Sequence, residues 1–247
     1  MALLPTDAIV LQSFPYGDTS RIVRLLTRGA GVQSAIAKGA ARPRSRYSTL
    51  EPFAEGVAAL YIRDSRDLQT LGGFDLTRSR QDLGRDLVRF GSASLVAELV
   101  IRTGSEQPQP ELFDAVAAGL DRLVAADRDA VETAALAAVW HVIATLGFAP
   151  ELDACIACGA VVDAAAAASF DYGAGGVRCT SCAAGLPGRL LPPHARAALA
   201  GFNRGHAVHA PVTEGHWRLL TRYLEHHILE GSPLRSLQFL VTSLHAG

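Results

Sequence analysis

Residues 20–50 read SRIVRLLTRGAGVQSAIAKGAARPRSRYSTL, and this stretch decides how the chain folds. Arg21 to Thr27 and Val32 to Lys38 are short runs rich in β-branched and apolar residues, and Gly29 and Gly31 supply the bend between them, so the stretch opens as two paired strands. Arg21, Arg24, Arg28, Lys38, Arg42, Arg44 and Arg46 then occur without one Asp or Glu between them. On a chain of formal net charge −1 that is a local cationic surface. A polyanion suits it, because phosphates reward clustered Arg and Lys by releasing condensed counterions. A merely solvated basic face is the plainer alternative.

Working outward, Ala8-Ile9-Val10-Leu11 is a first strand, Phe14 to Asp18 is turn chemistry, and Gly56 to Ile62 and Leu68 to Leu76 are a fourth and fifth strand. Five short strands between Thr6 and Leu76 predict a small closed barrel of the oligonucleotide-binding (OB) type, which hides its edges by closing. Strand counting alone does not separate it from an SH3-like barrel. After Arg78 the apolar period becomes helical. Leu83, Leu87, Phe90, Ala97 and Ile101 predict one helix face, Leu112, Val116, Leu120 and Leu123 a second, and Val131, Ala135, Val139, Val142 and Leu146 a third that stops at Gly147 and Pro150. Beyond Pro192-Pro193, His194 to Ala200 is helical, as are Trp217, Leu220, Leu224 and Ile228. A last helix has Ser232 as N-cap, Pro233 at its first position, and Leu237, Leu240 and Leu244 along one face. The expected architecture is α+β and multidomain: a barrel over 1–78, a helical domain over 79–150, a four-cysteine zinc module over 151–190, and C-terminal helices over 191–247 that complete the helical bundle. Residues 106–163 carry ten carboxylates against Arg122 and Arg128, a polarity that would turn a nucleic acid towards the barrel.

The chain has 247 residues and a mass of 26.0 kDa, enough for real cores. Its apolar content is 49% and its mean hydropathy +0.19, yet no run approaches the roughly eighteen apolar residues of a membrane span. Met1 to Asp7 has neither the basic flank nor the apolar run of a signal peptide, so a soluble cytoplasmic protein is expected. Lys38 is the only lysine; the bias to Arg and Ala follows genome composition and says nothing about function.

Cys155-Ile156-Ala157-Cys158 and Cys179-Thr180-Ser181-Cys182 are two C-x-x-C pairs with twenty residues between them. Each pair can chelate one ion from a tight turn, and Gly159 and Gly176 supply the bends. Redox chemistry or free buried thiols are the alternatives, but redox motifs come singly at a helix start. Four thiolates would fill a tetrahedron, so one structural Zn2+ is expected, with no open position for catalysis. Asp163 to Ser169 reads as a tolerant insertion between the pairs. His206/His209 and His226-His227 read as polar surface, and Asp82, Asp86 and Glu98, beside Arg85 and Arg89, as ion-paired surface rather than the Mg2+ ligands of a nuclease. No phosphate-binding loop, dinucleotide fingerprint or nucleophile elbow occurs, and no enzymatic activity is expected.

Taken together, these motifs resemble those of the RecO family of bacterial DNA repair and recombination proteins, over essentially the whole length. The resemblance rests on Ala8-Ile9-Val10-Leu11, Tyr16 to Val23, Leu25-Leu26-Thr27, and most specifically Ala37 to Arg46 followed by Leu50-Glu51-Pro52-Phe53. Ala97-Glu98-Leu99, then Leu146 to Pro150 before the first cysteine pair, and Gly175-Gly176-Val177 before the second, complete it. Ala41 stands where the family usually has a basic residue, and Arg44 where it more often has Lys. The resemblance implies an OB-fold, a helical domain and an embedded zinc module. It also implies a cytoplasmic, nucleoid-associated recombination mediator that binds single- and double-stranded DNA, anneals complementary strands coated with single-strand-binding protein (SSB), and with RecR places RecA on them. Lys38, Arg42, Arg44 and Arg46 are the expected principal phosphate contacts, with Arg21 and Arg24 as a second row and Pro43 holding the loop extended. Tyr16, Tyr47 and Phe53 are candidate base-stacking residues; burial in the barrel is the alternative for Phe53 and Tyr47. A single-stranded RNA-binding module, and a scaffold that meets the acidic SSB tail without a DNA function of its own, are the rival readings.

Overall fold

The computed structural model describes residues 2–42, 45, 47–63, 65–186, 188–207, 214–229 and 232–245, the side chains of 244 and 245 excepted. Strands β1 (Ala2–Tyr16), β2 (Ser20–Thr27), β3 (Gly31–Ala37), β4 (Glu55–Ile62) and β5 (Leu68–Arg78) close a barrel in the order β1-β2-β3-β5-β4. Every pairing is antiparallel except β3 with β5. That order, closed by one parallel pair, is the Greek-key barrel of the OB type rather than an SH3-like one.

The first strand is far longer than Ala8 to Leu11, and the turn expected from Phe14 shrinks to Gly17–Thr19. The two prolines explain how. β1 pairs with β4 over Ala2–Ile9 and with β2 over Ala8–Tyr16, so Pro5 and Pro15 each lie where the strand has a single neighbour and a missing N–H breaks no second ladder. A bulge between Val10 and Gln12 bends the strand from one partner to the other.

Alternation along β1 and β2 divides their side chains between two cores. Ala8, Val10, Val23 and Leu25 fill the barrel with Ala35, Leu60, Leu71 and Phe74. Ile9, Leu11 and Leu26 point the other way, into the helical core. That core is built on α1 (Leu87–Thr103), α2 (Pro110–Ala125) and α3 (Val131–Ile143). Leu112, Val116, Leu120 and Leu123 are buried as expected for α2. The first helix departs from its expected face. Leu83 sits in a separate 3-10 turn, and Leu87 and Phe90 are 67% and 41% exposed. α1 instead buries Gly91, Ser92, Ala93, Leu95, Val96, Ala97, Leu99 and Val100, because several elements enclose it.

The helical stretch Arg128–Phe148 has a mean hydropathy of 1.5, long and apolar enough to cross a membrane, but it is mostly buried inside the molecule. Its small side chains let α2 and α5 (Pro193–Asn203) approach closely: a Cβ on Gly119 would lie 3.0 Å from that of Ala138. It ends in a π turn at Ala144–Phe148, where Gly147 adopts φ 89°. Helices α6 (Glu214–His227) and α7 (Arg235–His245) complete the bundle. Between α3 and α5 lies the cysteine module: β6 (Ala168–Asp171), β7 (Gly176–Arg178), the short α4 (Thr180–Ala183) and β8 (Arg189–Leu191), with sheet order β7-β6-β8. The alanine-rich insertion is therefore not all loose loop, since Ala168 is buried and opens β6.

Candidate nucleic-acid interface and metal centre

The basic residues gather at one end of the barrel. Lys38 and Arg42 stand exposed on the turn after β3, where Gly39 takes φ 76°. That turn is tied to the β1–β2 turn by the Ala41 N–H donating to the Thr19 carbonyl at 2.9 Å. Arg21 pairs with Ala37 across β2–β3 and so comes to the same end, its Nε donating to Ser13 Oγ at 2.9 Å. Tyr16, 52% exposed, flanks it. Among the described residues none of Arg21, Arg24, Lys38 and Arg42 forms an ion pair. Their charge is therefore free to meet a phosphate. Arg44, Arg46 and Pro43 lie outside the described residues.

Two expectations change. Arg21 and Arg24 do not form one row, because residues three apart on a strand face opposite sides. Arg24 instead lines a cleft of about 630 Å3 between the barrel and α1 and α7, beside Glu98, Arg102 and Arg235 and above Leu11, Phe53 and Phe90. Tyr47 is 3% exposed inside the barrel, where its hydroxyl donates to the Leu71 carbonyl at 2.7 Å, so its ring has no face for a base. Phe53 is buried too, and packs edge-on to Phe90 with ring centroids 5.8 Å apart. Tyr16 alone of the three aromatic candidates offers an exposed ring.

Arg28 is spent on structure. Its guanidinium makes a bidentate contact with Asp114 of α2, lies 3.6 Å from Asp7 and sits 4.6 Å above the Phe113 ring. Arg28 holds the Asp114 carboxyl below the usual carboxylate range. A second latch was not legible beforehand. Arg80, 3% exposed, donates to Asp121 of α2 at 2.7 Å, to Glu55 of β4 at 2.5 Å and to the Phe53 carbonyl at 3.0 Å, joining barrel to helices.

The four cysteines converge, with all four sulfur atoms within 4.8 Å of one another and Cys158 Sγ 3.9 Å from Cys179 Sγ. A tetrahedral zinc with Zn–S bonds near 2.3 Å would hold its sulfurs about 3.8 Å apart, so the cluster is the right size. Two turns build it. The Gly159 N–H donates to the Cys155 carbonyl at 2.8 Å with Gly159 at φ 73°, and Cys179 stands at the cap of α4, which carries Cys182. Backbone N–H groups of Cys179, Cys158 and Ala157 aim at the Cys155 sulfur and bring its pKa down to about 6, whereas its neighbours push Cys182 up to about 12. Four thiols this close resist full ionisation unless a cation shares the space, which is the donor set of a metal site.

Two residues read as surface are structural. His227 is half-buried between α6 and the module, its Nε2 2.6 Å from the Tyr172 carbonyl and its ring 4.4 Å from that of Tyr223. Glu98 accepts from the backbone N–H groups of Arg235 and Ser236 and from Ser236 Oγ, and so caps α7 in place of Ser232. Asp82 and Asp86 remain local, in an ion pair with Arg85 and at the N-cap of α1. His209 lies outside the described residues.

Comparison with known proteins agrees with this arrangement along the chain. The family profile described as "Recombination protein O N terminal" matches residues 1–80, the barrel, and "Recombination protein O C terminal" matches residues 84–238. The DNA repair protein RecO of Anaeromyxobacter sp. (strain K) is 36% identical over 244 residues, covering 94% of this chain and 93% of its own. Those of Anaeromyxobacter dehalogenans (strain 2CP-C) and Symbiobacterium thermophilum are 37% identical over 94% of this chain and 34% identical over 74% of it, covering 93% and 72% of their own lengths. With its OB-type barrel, helical bundle and four-cysteine cluster, the chain belongs to the RecO family of DNA repair and recombination proteins.

Proposed function

We propose that the protein is a non-enzymatic recombination mediator of the cytoplasm and nucleoid. It binds single- and double-stranded DNA at the end of the barrel, anneals complementary strands including those coated with SSB, and with RecR assists the loading of RecA. The observation that carries this reading is the exposed charge of Lys38 and Arg42, without an ion pair among the described residues, on a turn joined to the β1–β2 turn, with Arg21 beside it. Guanidinium and ammonium groups at that end neutralise phosphates and lower the repulsion between two strands, so that bases can pair. Arg44 and Arg46 extend the same loop in sequence. Arg24, on the other face of β2, serves the cleft it lines with Arg102 and Arg235, whose basic rim and apolar floor suit the acidic SSB tail. Cys155, Cys158, Cys179 and Cys182 hold one structural Zn2+.

The test is the double variant Lys38→Glu/Arg42→Glu in a titration of labelled single-stranded DNA at several salt concentrations. Loss of two phosphate contacts and their reversal to repulsion should weaken binding by about tenfold or more and lower the salt slope by roughly two. An unaltered slope would move the interface elsewhere. Tighter binding to matched RNA than to DNA would favour an RNA-binding module instead.

A further inference from the structure

The cysteine cluster has one open side. Cys155 is 2% exposed, in the core shared with α1 to α3, and Cys179 and Cys182 pack half-buried against that core. Of the four, only Cys158 is exposed, on the first knuckle, where residues 157–161 are all at the surface. Access and thiolate character decide which sulfur a dissolved oxidant meets, and access here selects Cys158.

A partner for its sulfur is already in contact. Cys158 Sγ lies 3.9 Å from Cys179 Sγ on the second knuckle, so bonding distance requires the two sulfurs to approach by roughly 2 Å. Ala157 and Gly159 on one knuckle, and Thr180 and Ser181 on the other, are exposed, so little packing opposes that approach. Cys155 is held differently. Backbone N–H groups of Cys179, Cys158 and Ala157 converge on its sulfur, and it shares its core with Val162, Phe170 and Val177. The mobile, accessible pair therefore crosses the two knuckles rather than lying within one C-x-x-C.

We propose that Cys158 and Cys179 are a peroxide-responsive pair, whose disulfide withdraws two of the four donors from the metal site. The Cys158 thiolate attacks hydrogen peroxide: an S–O bond forms, the O–O bond breaks and hydroxide departs with the electron pair. The Cys179 thiolate then attacks the sulfenic sulfur, so that the S–S bond forms, the S–O bond breaks and a second hydroxide departs. Each sulfur gives up one electron, and the peroxide takes up both. Cys155 and Cys182 remain, and two thiolates do not complete a structural zinc site. The inference rests on the reading of the cluster as a zinc site and adds a regulatory response to it. Because Cys155 belongs to the helical core and the barrel interior is a separate core, oxidation loosens the helical side and spares the barrel.

The experiment treats the zinc-loaded full-length protein with hydrogen peroxide in modest molar excess. A chromogenic chelator reads released metal, and peptide mass spectrometry after alkylation of free thiols reads the pairing. About one zinc per chain should be released in step with a Cys158–Cys179 disulfide, and dithiothreitol with added zinc should reverse both. Cys158→His keeps a fourth donor, as in zinc sites of three cysteines and one histidine, but removes the attacking thiol, so its zinc release should slow about tenfold. Where that variant does not fold, the pairing found in the wild-type protein decides alone. A disulfide within either C-x-x-C, zinc loss with only sulfinic or sulfonic acids formed, or wild-type release from Cys158→His overturns the inference and leaves the metal site standing. A reduced protein that takes up no zinc overturns the metal reading, and the release step with it.

Discussion

Single residues hold barrel and helices in register. Phe53 is the one non-glycine among the described residues with positive φ, at 70°, a conformation that costs an L-residue about 1 kcal/mol or more. It persists because the backbone around it is fixed: its N–H donates to the Val10 carbonyl at 2.7 Å, Arg80 holds its own carbonyl, and its ring is buried against Phe90. Arg80 is the stronger test of this junction. Arg80→Ala leaves Glu55 without its cation, Asp121 with Arg78 alone, and the Phe53 carbonyl without that donor. Both carboxylates keep some solvent and Asp121 keeps Arg78, so the loss should be about 2–3 kcal/mol, below the roughly 3–5 kcal/mol that removing one partner of a fully buried pair costs. The urea midpoint should fall with no change in m. A loss below roughly 0.5 kcal/mol would mean that water replaces the guanidinium.

At the scale of elements, α7 depends on a carboxylate supplied by α1. Burial pushes the Glu98 carboxyl up, but the Ser236 hydroxyl, the N–H groups of Ser236 and Arg235, and the Arg102 guanidinium together outweigh it and hold the group below its ordinary value. A carboxyl whose folded pKa is depressed stabilises the fold fully above its unfolded value, near 4.3, and loses that contribution as the pH falls through the folded value. The helix N-terminus adds a favourable dipole. Glu98→Gln keeps an acceptor and removes the charge. Wild type should therefore exceed the variant by a constant margin above about pH 6, and the margin should shrink below about pH 4. Urea titrations across that range read it. A margin independent of pH would mean that neutral hydrogen bonds hold α7.

Across the whole molecule, the cysteine module is not an appendage. Leu152, Cys155, Val162, Phe170, Val177 and Leu191 belong to the same core as α1 to α3. Tyr223 ties them together: its hydroxyl donates to the Phe148 carbonyl at 2.9 Å and its ring lies 5.1 Å from Trp140 and 6.1 Å from Phe170. The barrel interior is a separate core. Chelation should accordingly release about one ion per chain and shift tryptophan emission to the red, because the chain's only tryptophans, Trp140 and Trp217, both lie in the helical core. Single-strand affinity should change by less than about twofold, since no barrel contact is lost. Emission that stays fixed after the metal is gone would show that packing alone maintains the module.

Local pattern was enough to determine a five-stranded barrel with its helical companion, the cysteine quartet, and α2, whose Leu112, Val116, Leu120 and Leu123 fall on one face of a helix with a single buried side; the strand order, and not the local pattern, separates the OB type from an SH3-like barrel. It failed for α1, because a helix enclosed by neighbours has no single apolar stripe to read. It failed for Tyr47, Arg24 and Arg28 because composition marks a residue as aromatic or basic but not which way its side chain points. A strand's two faces, a barrel's inside and an Asp eighty-six positions away are set by pairing partners distant in the sequence. The Arg80 latch and the Glu98 cap on α7 likewise exist only once separate segments meet. Short-range order follows from propensity and period, whereas the cancellation or exposure of a charge depends on what the fold brings beside it.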